Sequence, residues 1–170
     1  MTKNHLEKLF SASLKADSRF WGMKLHNNPL AHQNTPADYI ISFNKQIYVY
    51  TQNSSQVIPI FQKHLILAEC KQVTAPNTRL TFKRLKQLHD LLSFENTDYF
   101  HHSYVIIGFY HGGWTKESSE IYAIPANIMK EIIDISSKVS INQIEMKKYS
   151  TFKFRIVEKL LSMENFINRE

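Results

Sequence analysis

The sequence is poor in cysteine and glycine and has no long apolar run. Of its 170 residues, one is a cysteine (Cys70) and four are glycines. A single cysteine excludes an internal disulfide and a zinc site built from several cysteines. With few glycines, no low-complexity tract and no internal repeat, one domain over residues 1–170 is expected. No stretch is long and apolar enough to predict a membrane span, and no apolar signal core follows the first residues, so we expect a cytoplasmic protein.

Positive charge is in excess. The chain has 21 lysines and arginines against 15 acidic residues, which gives a formal charge of +6. Hydrophobic residues make up 43% of the chain, enough to argue against disorder. The basic balance favours a polyanionic partner such as nucleic acid, although many proteins without such a partner are equally basic.

The hydrophobic pattern predicts a mixed α/β fold with a central sheet flanked by helices. A turn is expected at Asn44-Lys45, an edge position at Pro59 and a loop at His101-His102. Helices are predicted over 4–16, 77–93, 126–136 and 155–167, and strands over 38–43, 46–51, 57–61, 64–73, 104–110 and 120–125.

An apolar strand that becomes charged at its end is the most informative feature. Glu69 and Lys71 are two positions apart, so they share one face of the strand, and Cys70 points to the other. Asp38 stands alone at the start of an earlier apolar run. Two carboxylates on neighbouring strands can bind a divalent cation, and a lysine beside them can neutralise charge on a phosphate. An ordinary surface ion pair between Glu69 and Lys71 is the simpler reading of the motif alone.

A basic surface follows this strand in the predicted helix over 77–93. Leu85, Leu88 and Leu92 form its buried apolar stripe, which Phe82 and His89 are expected to extend, and Asn77 or Thr78 is the expected cap. Such a surface suits a phosphate backbone, and an ordinary solvated face is weighted equally. The residues expected to contact nucleic acid are Arg79, Lys83, Arg84 and Lys86.

Asp38, followed by Glu69-x-Lys71 and a helix, resembles the layout of the PD-(D/E)xK nuclease superfamily. The order of elements downstream is similar to that of RecU-type Holliday junction resolvases. The segments that carry this second likeness are Glu69-Cys70-Lys71, Arg79–Leu92, Tyr104–Phe109, Ile121–Ala126 and Ser140-Ile141.

The sequence also departs from those resolvases. Asp38 and Glu69 are 31 positions apart, a long gap that indicates an inserted hairpin near 44–62. An alanine separates Pro36 from Asp38, and the segment that forms the junction-engaging stalk in RecU proteins is missing or truncated. The nuclease fold is therefore better supported than the four-way-junction substrate.

The resemblance implies a restriction-endonuclease-like fold and Mg²⁺-dependent DNA cleavage, with Mn²⁺ as an alternative ion. Asp38, Glu69 and the carbonyl of Cys70 would bind the metal, and Lys71 would orient water or meet negative charge. Gln87 and Glu7 would be auxiliary catalytic residues, with His89 as an alternative to Gln87. If four-way junctions are the substrate, two symmetric cuts predict a homodimer.

Two other function classes stay open. A non-catalytic nucleic-acid-binding protein on a nuclease-like fold would keep the basic helix without needing the three charged residues together. A structural partner protein would use the inserted hairpin as an interface. Cys70 is not expected to be a nucleophile, because it should face the core, where a thiol is inert.

Overall fold

A computed structural model describes residues 4–25, 35–50, 57–74, 79–115, 118–136, 138–149 and 152–168. They form a mixed α/β fold with a central sheet flanked by helices, as the hydrophobic pattern predicts. The helices are α1 His5–Ala16, α2 Leu88–Glu95, α3 Ala126–Ile135, α4 Gln143–Met146 and α5 Glu164–Asn168. The strands are β1 Phe20–Lys24, β2 Tyr39–Tyr50, β3 Val57–Thr74, β4 Arg79–Thr81, β5 His101–Tyr110, β6 Glu120–Pro125, β7 Ser140–Asn142, β8 Phe152–Lys153, β9 Ile156–Val157 and β10 Leu160–Leu161.

The central sheet has six strands in the order β1-β2-β3-β5-β6-β8. Only β3 and β5 run parallel, and every other neighbouring pair is antiparallel. The connection from β3 to β5 leaves the sheet and passes through β4, a single 3-10 turn over Phe82–Arg84 and α2. The antiparallel pair β4–β7 lies outside the central sheet.

Each face of the sheet has its own hydrophobic layer. On one face α1 packs through Leu6 and Phe10, together with aromatic residues of the C-terminal segment such as Phe166. On the other face lie α2 and α3, with Leu91 and Met129 fully buried. None of the helices in the described part of the chain combines the length and the apolar character that crossing a membrane requires.

The β2–β3 hairpin extends beyond its neighbours. Its pairing continues from Tyr39–Ala68 out to Tyr50–Val57, but β1 pairs only as far as Phe43 and β5 begins opposite Leu65. The hairpin predicted near 44–62 is therefore the outer part of one long two-stranded ribbon. The predicted turn at Asn44-Lys45 is wrong, because both residues continue β2. Pro59 lies where β3 has no second partner among the described residues, which agrees with its inability to donate a ladder hydrogen bond.

Two predicted helices are also corrected. Within 77–93, residues Arg79–Thr81 form β4, and the α-helix α2 begins only at Leu88 and continues to Glu95. The candidate caps Asn77 and Thr78 lie outside the described residues. In the tail, Ile156–Val157 and Leu160–Leu161 pair as a small hairpin instead of a helix. His101 and His102 begin β5 and are not in a loop.

The first turn of α1 lies very close to β5 at Gly108. A Cβ atom added there would be 2.7 Å from Cη2 of Trp114 and 3.1 Å from Cδ1 of Leu6. Both neighbours belong to the layer around α1, where Leu6 is fully buried. A side chain at this position would therefore have to displace the Trp114 ring and the Leu6 side chain, both of which pack between α1 and the sheet.

We expect Gly108→Ala to lower the free energy of unfolding by about 1–3 kcal/mol, the usual cost of overpacking a core. Gly22→Ala is the matched control, because its Cβ would approach only the flexible end of Leu14, at 3.0 Å. Urea denaturation of both variants measures the difference. An equal or smaller loss for Gly108→Ala would contradict the proposed close packing of α1.

Candidate functional site

Four elements bring charged residues to one end of the central sheet. β1 and β3 end there and β2 begins there, because β2 is antiparallel to both neighbours. α1 runs back along β1, so its N-terminal turn lies at the same end. This end of the sheet carries Asp38 before β2, Glu69 and Lys71 on β3, Lys24 on β1 and Glu7 on α1.

Asp38 is fixed by backbone contacts on two sides. Its Oδ2 atom accepts a hydrogen bond of 2.7 Å from the backbone N–H of Cys70. Its own N–H donates to the carbonyl of Ala68, and its carbonyl accepts from the N–H of Leu25. The carboxylate is thereby held beside β3, next to the residue that separates Glu69 from Lys71.

Burial raises the pKa of Asp38. The hydrogen bond from Cys70 and the charges of Lys71 and Lys24 act against this increase, whereas the charge of Glu7 adds to it. No ion pair to Asp38 is found among the described residues. Its negative charge is therefore only partly compensated by the protein.

Glu69 and Lys71 form a buried ion pair on one face of β3. The Nζ atom of Lys71 contacts Oε1 of Glu69. The side chain of Glu69 is 1% exposed and that of Lys71 is 16% exposed. The second carboxylate oxygen of Glu69, Oε2, is buried and has no hydrogen-bond partner among the described residues. A surface ion pair is therefore the wrong description of this motif.

The environment of Lys71 disfavours its charged form. Burial lowers the pKa of the Lys71 ammonium, and the nearby Arg84 guanidinium lowers it further, whereas Asp38 and Glu7 act in the opposite direction. Arg84 is held close to β3 because its Nη2 atom donates a 3.0 Å hydrogen bond to the carbonyl of Gln72. One of the four basic residues predicted to contact nucleic acid thus lies next to the site.

Glu7 reaches the same cluster from α1, and its auxiliary role stays a prediction. Its Oε2 atom pairs with Nζ of Lys24, and its other oxygen accepts from the side chain of Asn4, which caps the helix. Sequence reasoning missed Lys24. Its position follows from the packing of α1 against β1, for which no local pattern exists.

Gln72 is a second residue that sequence reasoning missed. Its Oε1 atom accepts a 2.8 Å hydrogen bond from the N–H of Leu6, in the first turn of α1. Its Nε2 atom donates to the hydroxyl of Thr74 at 2.7 Å, which fixes the orientation of the amide. Gln72 therefore ties the start of α1 to β3 and positions Glu7. A glutamine after Lys71 carries no signal of this role in the sequence.

Cys70 points away from Glu69 and Lys71, into the layer under α1, where it is 3% exposed. Burial raises the pKa of the Cys70 thiol well above its usual value. This agrees with the expectation that the thiol is inert.

The other predicted residues lie in different places. Gln87 precedes α2 and makes no capping hydrogen bond with its side chain, and within the described ranges no hydrogen bond joins it to the cluster. The His89 side chain is 90% exposed, so His89 does not extend the buried stripe of the predicted helix. Arg79 is engaged by Ser140 and Glu145. Lys83 and Lys86 are exposed.

The predicted metal ligands fit a magnesium-type ion in part. In the part of the chain that the structure describes, no three side chains of His, Cys, Asp or Glu are grouped so that they could hold a metal ion. The ligands implied by the resemblance are two carboxylates and one backbone carbonyl. Mg²⁺ commonly binds one or two carboxylates and keeps several waters. The buried, unpartnered Oε2 of Glu69 beside the partly compensated Asp38 is consistent with such a ligand set.

We expect Asp38→Asn to stabilise the metal-free protein at neutral pH. Because the pKa of Asp38 is raised above its ordinary value of 3.8, the folded state binds the proton more tightly than the unfolded chain. The stability that this group contributes is complete below that value and is lost as the pH rises through the folded pKa. The asparagine variant should escape this loss.

Urea denaturation between pH 3 and pH 8, with EDTA present, measures the effect. The variant should gain stability relative to the parent chain as the pH rises. A stability difference that does not change with pH would show that Asp38 is not destabilised by its burial.

Comparison with known proteins assigns this chain to no family. No family model matches the chain, and no curated protein shows significant sequence similarity to it. The resemblance to the nuclease superfamily therefore depends on Asp38, Glu69, Lys71 and the order of elements around them.

Proposed function

We propose that this protein is a metal-dependent endodeoxyribonuclease that hydrolyses phosphodiester bonds in branched DNA during recombination or repair. The observation that carries the proposal is the buried Glu69–Lys71 pair placed beside Asp38 at one end of the sheet. A buried carboxylate with one unpartnered oxygen is energetically unfavourable. Residues with a perturbed pKa in such a place are frequently functional.

Each residue has a distinct role in this proposal. The carboxylates of Asp38 and Glu69 and the carbonyl of Cys70 would hold Mg²⁺ or Mn²⁺. The ion supplies Lewis-acid stabilisation of the charge on the scissile phosphate. Lys71 orients the attacking water or meets the negative charge of the phosphate. Its lowered pKa makes it a better proton carrier near neutral pH than an exposed lysine.

Three further charged residues, Arg84, Glu7 and Lys24, surround these groups and keep them in place. Arg84 bonds to the backbone beside Lys71 and adds positive charge close to the phosphate. Glu7 and Lys24 fix the end of β1 next to Asp38. Because no hydrogen bond joins Gln87 to the cluster within the described ranges, it has a weaker case than Glu7 as an auxiliary residue.

A four-way junction would require two coordinated cuts, so the proposal includes a homodimer with two-fold symmetry. A flap requires one cut, which a single active site can make. Sedimentation of the protein on synthetic junctions separates these cases, since a monomer on DNA contradicts the junction form of the proposal.

A nucleic-acid-binding protein without catalysis is the second candidate. The contact between Lys71 and Glu69 favours it, because this contact already satisfies one oxygen of the carboxylate. Binding of DNA without Mg²⁺-dependent cleavage would support this candidate.

We expect Mg²⁺-dependent cleavage of at least one substrate in a panel of four-way junctions, flaps, duplexes and single strands. Asp38→Asn should reduce the rate by at least about 100-fold, because weakening a metal site by even an outer contact costs 10–100-fold. It is a better control than Glu69→Ala, which leaves Lys71 buried without its partner and is expected to destabilise the fold by about 3–5 kcal/mol. Cleavage that survives in Asp38→Asn would exclude Asp38 from the site.

Binding of the ion can be measured without activity. Mn²⁺ at 100 times its dissociation constant should stabilise the protein by about 2.7 kcal/mol, because it binds only the folded state. Thermal unfolding with increasing Mn²⁺ tests this in the parent chain and in Asp38→Asn. The variant should lose most of the shift, and an equal shift in both proteins would place the ion elsewhere.

A further inference from the structure

A groove separates α1 from β1 and opens beside the candidate site. Its volume is about 470 Å³. The side chains that matter for its chemistry are Glu7, Lys8, Ser11, Lys15, Lys24 and Tyr39. Glu7 and Lys24 line the groove and also contribute charge to the environment of Asp38, so the groove adjoins the candidate site.

The groove is positively charged. It contains three lysines and one glutamate, and that glutamate, Glu7, is neutralised by Lys24. Lys8 and Lys15 form no ion pair with any carboxylate of the described residues. By contrast, Lys130 pairs with Asp134 four residues away on α3. The two unpaired charges of the groove are therefore available to an anion from outside.

The spacing of Lys8 and Lys15 suits a repeated anion. They are seven residues apart on α1, so they lie on the same face, separated by about 10 Å along the helix axis. Phosphates on one strand of B-DNA are about 3.4 Å apart along the axis, so the two lysines span about three nucleotides. Ser11 lies between them on the same face and also lines the groove.

We infer that this groove holds the phosphates of the DNA strand that enters the candidate site, an inference that rests on the proposed nuclease function. Lys8 and Lys15 contact two phosphates about three nucleotides apart on one strand, and Lys24 lies where the strand reaches Asp38. The basic residues after β3 lie on the opposite layer, and Arg79 among them is engaged within the protein. The groove thus provides a contact surface that the predicted basic helix does not.

The salt dependence of binding tests this inference independently of cleavage. Binding of a fluorescent DNA duplex is measured in EDTA, so that no cleavage is required, at increasing salt concentrations. The slope of log K against log salt is negative, and each lost phosphate contact reduces its steepness by about 0.9. The double variant Lys8→Gln/Lys15→Gln should therefore reduce the slope by about 1.8, with equal weakening for unrelated sequences. The matched control is Lys130→Gln/Lys148→Gln, which removes the same charge from exposed positions on the opposite layer and should keep the slope.

The outcomes separate the groove from the proposed function. A reduced slope in the groove variant, restored in Lys8→Arg/Lys15→Arg, supports the groove even if the protein never cleaves DNA. An unchanged slope, an equal loss in both double variants, or no binding of DNA by the parent chain would overturn it. Cleavage by the parent chain with an unchanged slope would keep the nuclease and remove the groove.

Discussion

The buried Glu69–Lys71 pair constrains the whole candidate site. A carboxylate that is 1% exposed at the end of an interior strand would cost several kcal/mol if it were isolated. Lys71 offsets this cost at one oxygen only, because the other has no partner among the described residues. The contact requires both side chains on the same face of an extended strand, and β2 and β5 hold β3 in that conformation by pairing along its two edges. The chemistry at the end of the sheet thus depends on the continuity of the sheet itself.

The surroundings of this pair fully stabilise neither the negative charge of Asp38 nor the positive charge of Lys71. Burial raises the pKa of Asp38 and lowers the pKa of Lys71, so the folded protein disfavours the charged form of both. The same arrangement favours ligands of opposite kinds, since a cation would stabilise Asp38 and an anion would stabilise Lys71. A metal ion and a phosphate are such a pair of ligands. If the site served stability alone, we would expect Asp38 to pair directly with Lys71, or both side chains to be exposed to solvent.

Local patterns predicted the parts of this site that lie on regular strands. Alternation along 64–73 placed Glu69 and Lys71 on one face and Cys70 on the other, and α1 and α3 have the predicted apolar periodicity. The prediction of a helix over 77–93 was wrong in its first part, because residues 79–81 pair with β7 and Phe82–Arg84 form a 3-10 turn, so the α-helix begins only at Leu88. The tail was also misassigned, since its hairpin turns at Glu158 and Lys159 with positive φ angles of 50° and 68°. Turns of this kind are usually indicated by Asn-Gly or Gly-Gly, which this turn lacks.

The residues that the sequence could not indicate are those whose roles depend on how α1 crosses the sheet. The absence of a side chain at Gly108 lets Leu6 lie against β5, and this brings the N–H of Leu6 within 2.8 Å of Gln72. With the first turn fixed there, Glu7 meets Lys24 and the helix presents Lys8 and Lys15 along the groove. The position of Glu7 beside Asp38 and the opening of the groove therefore have the same structural origin. A shift of α1 would alter both together. Among the described residues no hydrogen bond joins Glu7 itself to β3, so its position relative to β3 depends on the hydrogen bond between its neighbour Leu6 and Gln72.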